Sequence, residues 1–274
     1  MRALLSLLFL LALPAAAWSA EERWAVYYGD KLPAEQFVGF DVIVFDREHH
    51  PPLETLQAKT LLGYISLGEA ESYRGDFDEV KQKGFLLGRN EQWKDHAVID
   101  LRKPEWKAYV LDVLIPATLA EGFGGVMLDT IDSPLQLETD QPEKYKGMRE
   151  AAADLIRSIR ARYPDIKIML NRGFDILPQV AGNIDMVMAE TIYTDWQPGK
   201  KNPVLQPQEE YAAYVTTLKE AQRVSPTLKV YSLDYWPSKD EKQVRAIYAR
   251  QRSEGFIPYV APTLSLESLG SRPL

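Results

Sequence analysis

The sequence predicts an α/β protein of the (β/α)8 TIM-like barrel class. Three observations carry that expectation: eight short apolar runs recur along the chain, helical spacing fills most intervals between them, and no linker or break in composition divides the series. The first two runs are Trp24–Tyr28 and Asp41–Phe45, joined across Leu32–Gly39. A second brief interval, Leu53–Lys59, leads to the third run, Leu61–Leu67. Each interval is hardly two helical turns, so the barrel is expected to be irregular in its first two crossovers. The long third connection holds Ala97–Ile99, read as an extra edge strand or part of a loop, and then Pro104–Glu121. In that stretch a proline suits the first helical turn, and Trp106, Tyr109, Val110, Val113, Leu114 and Ala117 fall along one stripe. Pro116 is expected to kink it. The fourth run is Gly125–Asp129, and the helix after it, Met148–Tyr163, repeats Ala152, Leu155, Ile156 and Ile159 at three- and four-residue steps. Lys167–Asn171 and Ile184–Glu190 are the fifth and sixth runs, Glu209–Arg223 a helix, Lys229–Asp234 the seventh run, Asp240–Ser253 a helix and Phe256–Val260 the eighth run. Such alternation also suits an open doubly wound sheet. No G-x-G-x-x-G or P-loop pattern follows any run, so nucleotide binding lacks its usual signature.

Composition narrows the chemistry. A chain of 274 residues with 46% hydrophobic and 26% charged residues is not a disordered one. Lys and Arg number 32 against 39 Asp and Glu, a net charge of −7 that repels nucleic acid on average and suits a neutral or cationic ligand. With no cysteine there are no disulfides, thiolate metal sites, iron–sulfur clusters or cysteine nucleophile. Residues 1–20 read as a secretory signal peptide: Arg2, an apolar stretch from Leu4 to Leu13, then Pro14 and small residues before Glu21. Cleavage is expected between Ala17 and Ala20; the other reading of the same stretch is an uncleaved anchor. The expected product is one domain, residues 21–274, periplasmic or extracellular, monomeric and with no stable membrane span.

Active sites of such barrels lie at the C-terminal ends of the strands, where the loops converge. Carboxylates and aromatics dominate those positions here: Tyr28 and Asp30, Asp46, then Glu69, Glu71, Tyr73 and Arg74, then Asp129 and Asp132, Asn171 and Arg172, Glu190 and Tyr193, and Asp234, Tyr235 and Trp236. Asp129 and Glu190 stand out, because a carboxylate that ends a buried apolar run loses solvation unless it is used or paired. Paired carboxylates beside exposed aromatics are what cleavage of a glycosidic bond requires, one acid protonated toward the leaving oxygen and the other ionised. Tyr28, Tyr73, Tyr193, Tyr235 and Trp236 are placed to stack on sugar rings. The competing reading pairs Asp129 and Glu190 with Arg172 or Arg74, as struts of the barrel mouth. Glu69 and Glu71 would bind sugar hydroxyls or pair with Arg74; Asp132 would raise the proton affinity of Asp129 or cap the next segment; Asn171 would bond the sugar or orient an acid, and Asp234 has similar standing. His49 and His50 lack a third partner and ligand spacing, so they are read as facing solvent or substrate; no metal and no cofactor are expected.

Several stretches together resemble a known family. They are Tyr64-Ile65-Ser66-Leu67-Gly68-Glu69-Ala70-Glu71 with Tyr73-Arg74, Val98-Ile99-Asp100-Leu101 followed by Pro104-Glu105-Trp106, and Gly122 to Asp132. Asn171-Arg172-Gly173-Phe174 and Met188-Ala189-Glu190-Thr191 follow in register. The chain resembles the endo-α-1,4-polygalactosaminidases, glycoside hydrolases of family 114, related to the hydrolase domain of the Pel exopolysaccharide machinery. The resemblance spans essentially the whole chain after the signal segment. It implies a (β/α)8 fold, hydrolysis within α-1,4-linked galactosamine and N-acetylgalactosamine polysaccharide, and an acidic catalytic pair at Asp129 and Glu190. Either acid can be the proton donor on this pattern; the assignment favoured from sequence is Glu190 as acid and Asp129 as nucleophile or base. A partly deacetylated galactosamine polymer is cationic and fits an acidic cleft. Two other functions stay open: a barrel that binds exopolysaccharide without cleaving it, and a hydrolase whose metal is held by Asp46, Asp129, Asp132 and Glu190.

Overall fold

The computed structural model describes residues 22–56, 59–90, 93–197 and 199–270. The expected signal segment, residues 1–20, lies outside the described residues. Eight parallel strands pair in sequence order: β1 (Trp24–Tyr27), β2 (Val42–Phe45), β3 (Thr60–Ser66), β4 (Gly125–Asp129), β5 (Lys167–Asn171), β6 (Met186–Glu190), β7 (Lys229–Tyr235) and β8 (Ile257–Ala261). The eighth strand returns beside the first. The Trp24 indole N–H donates to the Ile257 carbonyl at 2.9 Å and its ring packs on Tyr259 with centroids 5.8 Å apart. The sheet is therefore a (β/α)8 barrel.

Side-chain alternation divides the core in two. Met127, Met169, Met188, Tyr231 and Leu233 fill the barrel interior. Their sequence neighbours Val126, Leu128, Ile168, Leu170, Val187 and Ala189 pack outward with Ala152, Ile156 and Ile159 of the helix Met148–Arg162. The apolar stripe read from sequence is that helix's buried face.

The first two crossovers are single 3-10 turns, Ala34–Phe37 and Leu53–Leu56, in keeping with their length. The stretch around Pro116 is more than kinked. A helix Pro104–Tyr109 widens into a π-turn, Val110–Leu114, and resumes as Ile115–Ala120. Proline offers no N–H to the turn before it, and the wider turn, with Ile115 N–H bonded to the Val110 carbonyl, absorbs the mismatch. The third connection carries a small antiparallel sheet of Glu69–Glu71, His96–Ile99 and Leu86–Arg89, with a helix Phe77–Gln82. The run expected at its edge, Ala97–Ile99, is instead the middle strand, paired on both sides.

Candidate active site

The period of two that puts Met127, Met169, Met188 and Leu233 inside the barrel puts the residues two further along on the same face. These are Asp129, Asn171, Glu190 and Tyr235, from β4, β5, β6 and β7, and they line one cleft of about 1080 Å³ at the C-terminal mouth. Asn171 joins the two acids: its Nδ2 donates to Asp129 Oδ1 at 2.8 Å and to Glu190 Oε2 at 2.7 Å. Bonds of 2.8 and 2.7 Å from one nitrogen hold those oxygens no further apart than their combined length, 5.5 Å. Thr130 N–H donates to Asp129 Oδ1 at 2.7 Å, and the Tyr235 hydroxyl donates to Glu190 Oε1 at 2.5 Å. Burial, and next the negative charge of Glu190, pushes the Asp129 carboxyl up to about 7. Asp129 therefore keeps its proton into the neutral range, held there by lost solvation and by the carboxylate charge beside it.

The backbone beneath this pair is strained in a repeated way. The residue after each of Asp129, Asn171 and Glu190 is left-handed and is not glycine: Thr130 at φ 64°, Arg172 at 53° and Thr191 at 53°. A β-branched residue there costs on the order of 1–3 kcal/mol. Side-chain bonds hold two of these turns: Thr130 Oγ1 donates to the Asp129 carbonyl at 2.7 Å, and Thr191 Oγ1 and Arg172 Nη1 donate to that of Glu190 at 2.8 and 2.7 Å. The third loop is packed just as closely. A Cβ on Gly68 would lie 2.2 Å from the Thr130 carbonyl, so only glycine fits.

The arginines are engaged elsewhere. Arg74 reaches Asp46 at 2.9 and 2.7 Å and Glu71 at 2.5 Å, in a buried cluster completed by the Tyr64 hydroxyl on Glu71 at 2.6 Å. Burial opposes ionisation of Asp46, but the bonds from Arg74 prevail and hold it below the ordinary carboxylate value. Arg172 bonds Asp132 at 2.9 Å. Among the described residues neither Asp129 nor Glu190 has an ion-pair partner; Asp46 and Glu71 pair with Arg74, and Asp132 with Arg172. Asp46 and Asp132 give oxygens to arginine, and among the described residues no three acidic or histidine groups stand where they could hold one metal ion.

Of the residues singled out from sequence, Tyr28, Asp46, Glu69, Glu71, Tyr73, Arg74, Asp132, Asn171, Arg172 and Tyr235 line the cleft with the two acids. Three do not. Asp234 has the outward parity of β7 and is fully buried, accepting from Tyr193 N–H, Thr194 N–H and Gln251 Nε2 at 3.1, 2.9 and 2.5 Å. Tyr193 packs on Tyr211 with centroids 4.9 Å apart, and the Trp236 indole N–H donates to Asp240 at 3.1 Å. These three support the loops rather than a sugar. Reasoning from strand ends missed Thr130, Thr191, Trp93 and His96; the Asp-Thr and Glu-Thr pairs ending two strands were the available signal for the first two.

A parallel (β/α)8 barrel with two carboxyls bridged by one amide at its mouth has the make-up of a class, the barrel-type glycoside hydrolases. The chain belongs to glycoside-hydrolase family GH114, whose family model matches residues 10–272. It is similar to the glycoside hydrolase domain of PelA from Pseudomonas aeruginosa, at 29% identity and a TM-score of 0.78, covering 91% of this chain and 97% of that one. It shares its fold with Aspergillus fumigatus Ega3, solved in complex with galactosamine, at 16% identity and a TM-score of 0.66 over 93% of this chain and 97% of that one. An uncharacterized protein of Deinococcus radiodurans is 25% identical over 261 residues, 89% of this chain and 81% of that one. Among the described residues no helix is long and apolar enough to cross a membrane.

Proposed function

We propose that this hydrolase cuts within polysaccharides of α-1,4-linked galactosamine and N-acetylgalactosamine, with Asp129 and Glu190 as its catalytic pair. The observation that carries the reading is the pair itself, two carboxyls joined through one Asn171 nitrogen and free of arginine. The galactosamine bound by the Ega3 fold relative points to the same sugar. Asp30 and Glu267 add negative charge at the exposed rim, which suits a cationic polymer. Signal-directed export of residues 21–274 to the periplasm or exterior, as a monomer without a cofactor, belongs to the same proposal.

One nitrogen bonding an oxygen of each acid keeps the two carboxyls close together, and on that ground we take the retaining arrangement, about 5–5.5 Å between carboxyls, over the 6.5–9.5 Å gap that admits a water in inverting enzymes. With one proton on the pair, the ionised carboxylate attacks the anomeric carbon while the protonated acid gives its proton to the departing C4 oxygen. A glycosyl ester forms as the glycosidic bond breaks. The second acid, now ionised, takes a proton from water, whose oxygen displaces the ester and returns the first carboxylate.

The test is release of oligosaccharides from a partly deacetylated galactosamine polymer, with NMR of the anomer first formed. Product of retained configuration is expected, and Asp129→Asn and Glu190→Gln should each lose at least about a thousandfold in kcat while circular dichroism stays native. Activity surviving in both variants, or polymer bound without product, overturns the proposal.

A further inference from the structure

The small antiparallel sheet of the third connection presents aromatic rings to the same cleft. Tyr73 is 63% exposed and Trp93 47% exposed, and both line the cavity that holds Asp129 and Glu190. His96 stands between them, its ring centroid 6.2 Å from that of Tyr73 and 6.1 Å from that of Trp93. Exposed aromatics of this size usually have a partner when they gather on a cleft wall. The row is also built rather than loose. His96 Nδ1 bonds the carboxylate of Glu69, itself 3% exposed, at 2.6 Å. Glu69 further accepts from Asn90 Nδ2 at 2.6 Å and from the Ser133 hydroxyl. Asn90 in turn accepts Trp93 N–H at 3.2 Å, and the His96 N–H closes onto the Trp93 carbonyl at 2.9 Å. Beneath Tyr73, the Arg74 guanidinium lies 5.4 Å from the ring centre, held by Asp46 and Glu71. Tyr73 is thus backed on one face and open on the other.

We infer that Tyr73, His96 and Trp93 form a distal sugar subsite, a platform for the apolar face of a hexosamine ring lying away from the bond being cut. The inference rests on the proposed function and extends it: the cleft would grip several consecutive units of one chain, which is what separates an endo-acting enzyme from one that trims ends. A galacto-configured ring has an apolar patch of C3–H, C4–H and C5–H on the face opposite its axial C4 oxygen; the aromatic rings cover that patch, while the His96 edge serves the polar groups around it. Glu69, read from sequence as a residue binding sugar hydroxyls directly, acts here through His96 and Asn90 as a positioning residue, since both its oxygens are occupied.

The experiment compares the wild type with Trp93→Ala, Tyr73→Ala and the double variant. Each is assayed on galactosamine oligosaccharides of three to ten units and on polymer, and each is titrated calorimetrically with the same oligosaccharides in a Glu190→Gln background that does not turn over. In the wild type, affinity should step up once the chain is long enough to reach the platform. Each single variant should lose about tenfold of that step, and the ratio of polymer to trimer kcat/KM should fall by a similar factor. Product lengths should shift as well, which a merely structural role would not produce. If the wild type cleaves the polymer and the variants show the same length dependence, the platform is overturned and the hydrolase stands. If the wild type neither cleaves nor binds these sugars, both fall. Should the alanine variants be poorly folded, Trp93→Phe is expected to retain most of the step and Trp93→Ser to lose it; equal behaviour of the two overturns the platform.

Discussion

The Asp129 carboxyl sets a pH dependence whose sign can be stated in advance. Folded, it keeps its proton to about 7 because it is buried and faces Glu190, whereas in the unfolded chain it ionises near the ordinary value of about 3.9. A raised folded value means that its contribution is complete below that ordinary value and is lost as pH climbs towards 7. Asp129→Asn keeps an oxygen for Thr130 N–H and the Asn171 amide but needs no charge, so it should be more stable than wild type at pH 8, by about 1 kcal/mol or more, with the gap closing by pH 4. Urea unfolding at the two pH values checks this, and equal gaps would disprove it. Tyr235 yields a companion prediction. It is buried at the rim and bonds Glu190 at 2.5 Å, so Tyr235→Phe keeps the ring and deletes only that donor. kcat should fall by about 10–100-fold with KM little changed and the acid limb of the pH–rate profile displaced, while the melting temperature moves little. In the sequence these residues were legible as polar groups ending apolar runs, and Asp129 and Glu190 also through the resemblance to family 114. What a strand-end rule does not supply is parity. Counting in steps of two from buried Met188 selects Glu190, and from Leu233 selects Tyr235 while turning Asp234 away, which is why Asp234 was misplaced.

At the scale of an element, the ends of β4, β5 and β6 share one device, a functional side chain followed at once by a left-handed residue. Thr191 is the cleanest place to test it, because its hydroxyl bonds the Glu190 carbonyl within the turn and otherwise receives only a long bond, 3.3 Å, from Arg172 on the neighbouring loop. Asparagine tolerates left-handed backbone better than threonine. Thr191→Asn should therefore melt at or above the wild-type temperature while losing about tenfold in kcat, because Glu190 is less firmly aimed. Greater stability with undiminished kcat would show that the strain serves no purpose at the site. The left-handed turns could not be read from periodicity, and of the insert sheet only Ala97–Ile99 could, as an edge strand or part of a loop. A single residue at φ 53° leaves no pattern, and strands of three or four residues such as Glu69–Glu71 and Leu86–Arg89 are shorter than the window in which alternation shows. The long elements were legible for the opposite reason. Met148–Arg162 repeats its buried stripe over four turns, and most barrel strands, covered on both faces, read as nearly continuous apolar runs, Trp24–Tyr27 and Val42–Phe45 being the clearest. The π-turn before Pro116 lay between these cases: the proline announced a disturbance, and only the fold decided whether it bent the helix or widened it.

At the scale of the whole molecule, the weakest point of the barrel is its seam. Every neighbouring pair from β1 through β8 is joined by a parallel ladder, but among the described residues no ladder is formed between β8 and β1. Side chains close that gap, and Trp24 is the principal one. It is 1% exposed, bonds the Ile257 carbonyl across the seam, meets Tyr231 edge-on with centroids 5.2 Å apart and lies against Tyr259. Removing it leaves a large cavity where no strand ladder compensates, although loss of a buried tryptophan would cost about 3–5 kcal/mol at any core position. Location is what the second observable reads. If the seam is a hinge for opening, Trp24→Ala should raise amide hydrogen exchange along β1 and β8 well before the middle strands β4 and β5 lose protection. Trp24→Phe restores most of the volume but not the bond to Ile257, and should recover more than half of the stability while the seam amides still exchange faster than in the wild type. Uniform loss of protection around the barrel in Trp24→Ala would mean that the ring acts as an ordinary core residue and that the barrel unfolds as one unit. The outcome bears on catalysis as well, because Tyr28, one residue beyond β1, lines the cleft and its N–H holds the Leu266 carbonyl at 2.9 Å from the loop after β8. A seam that loosens should therefore raise KM for the polymer before kcat changes, the signature of a binding wall moving while Asp129, Asn171 and Glu190 stay in place on the opposite side.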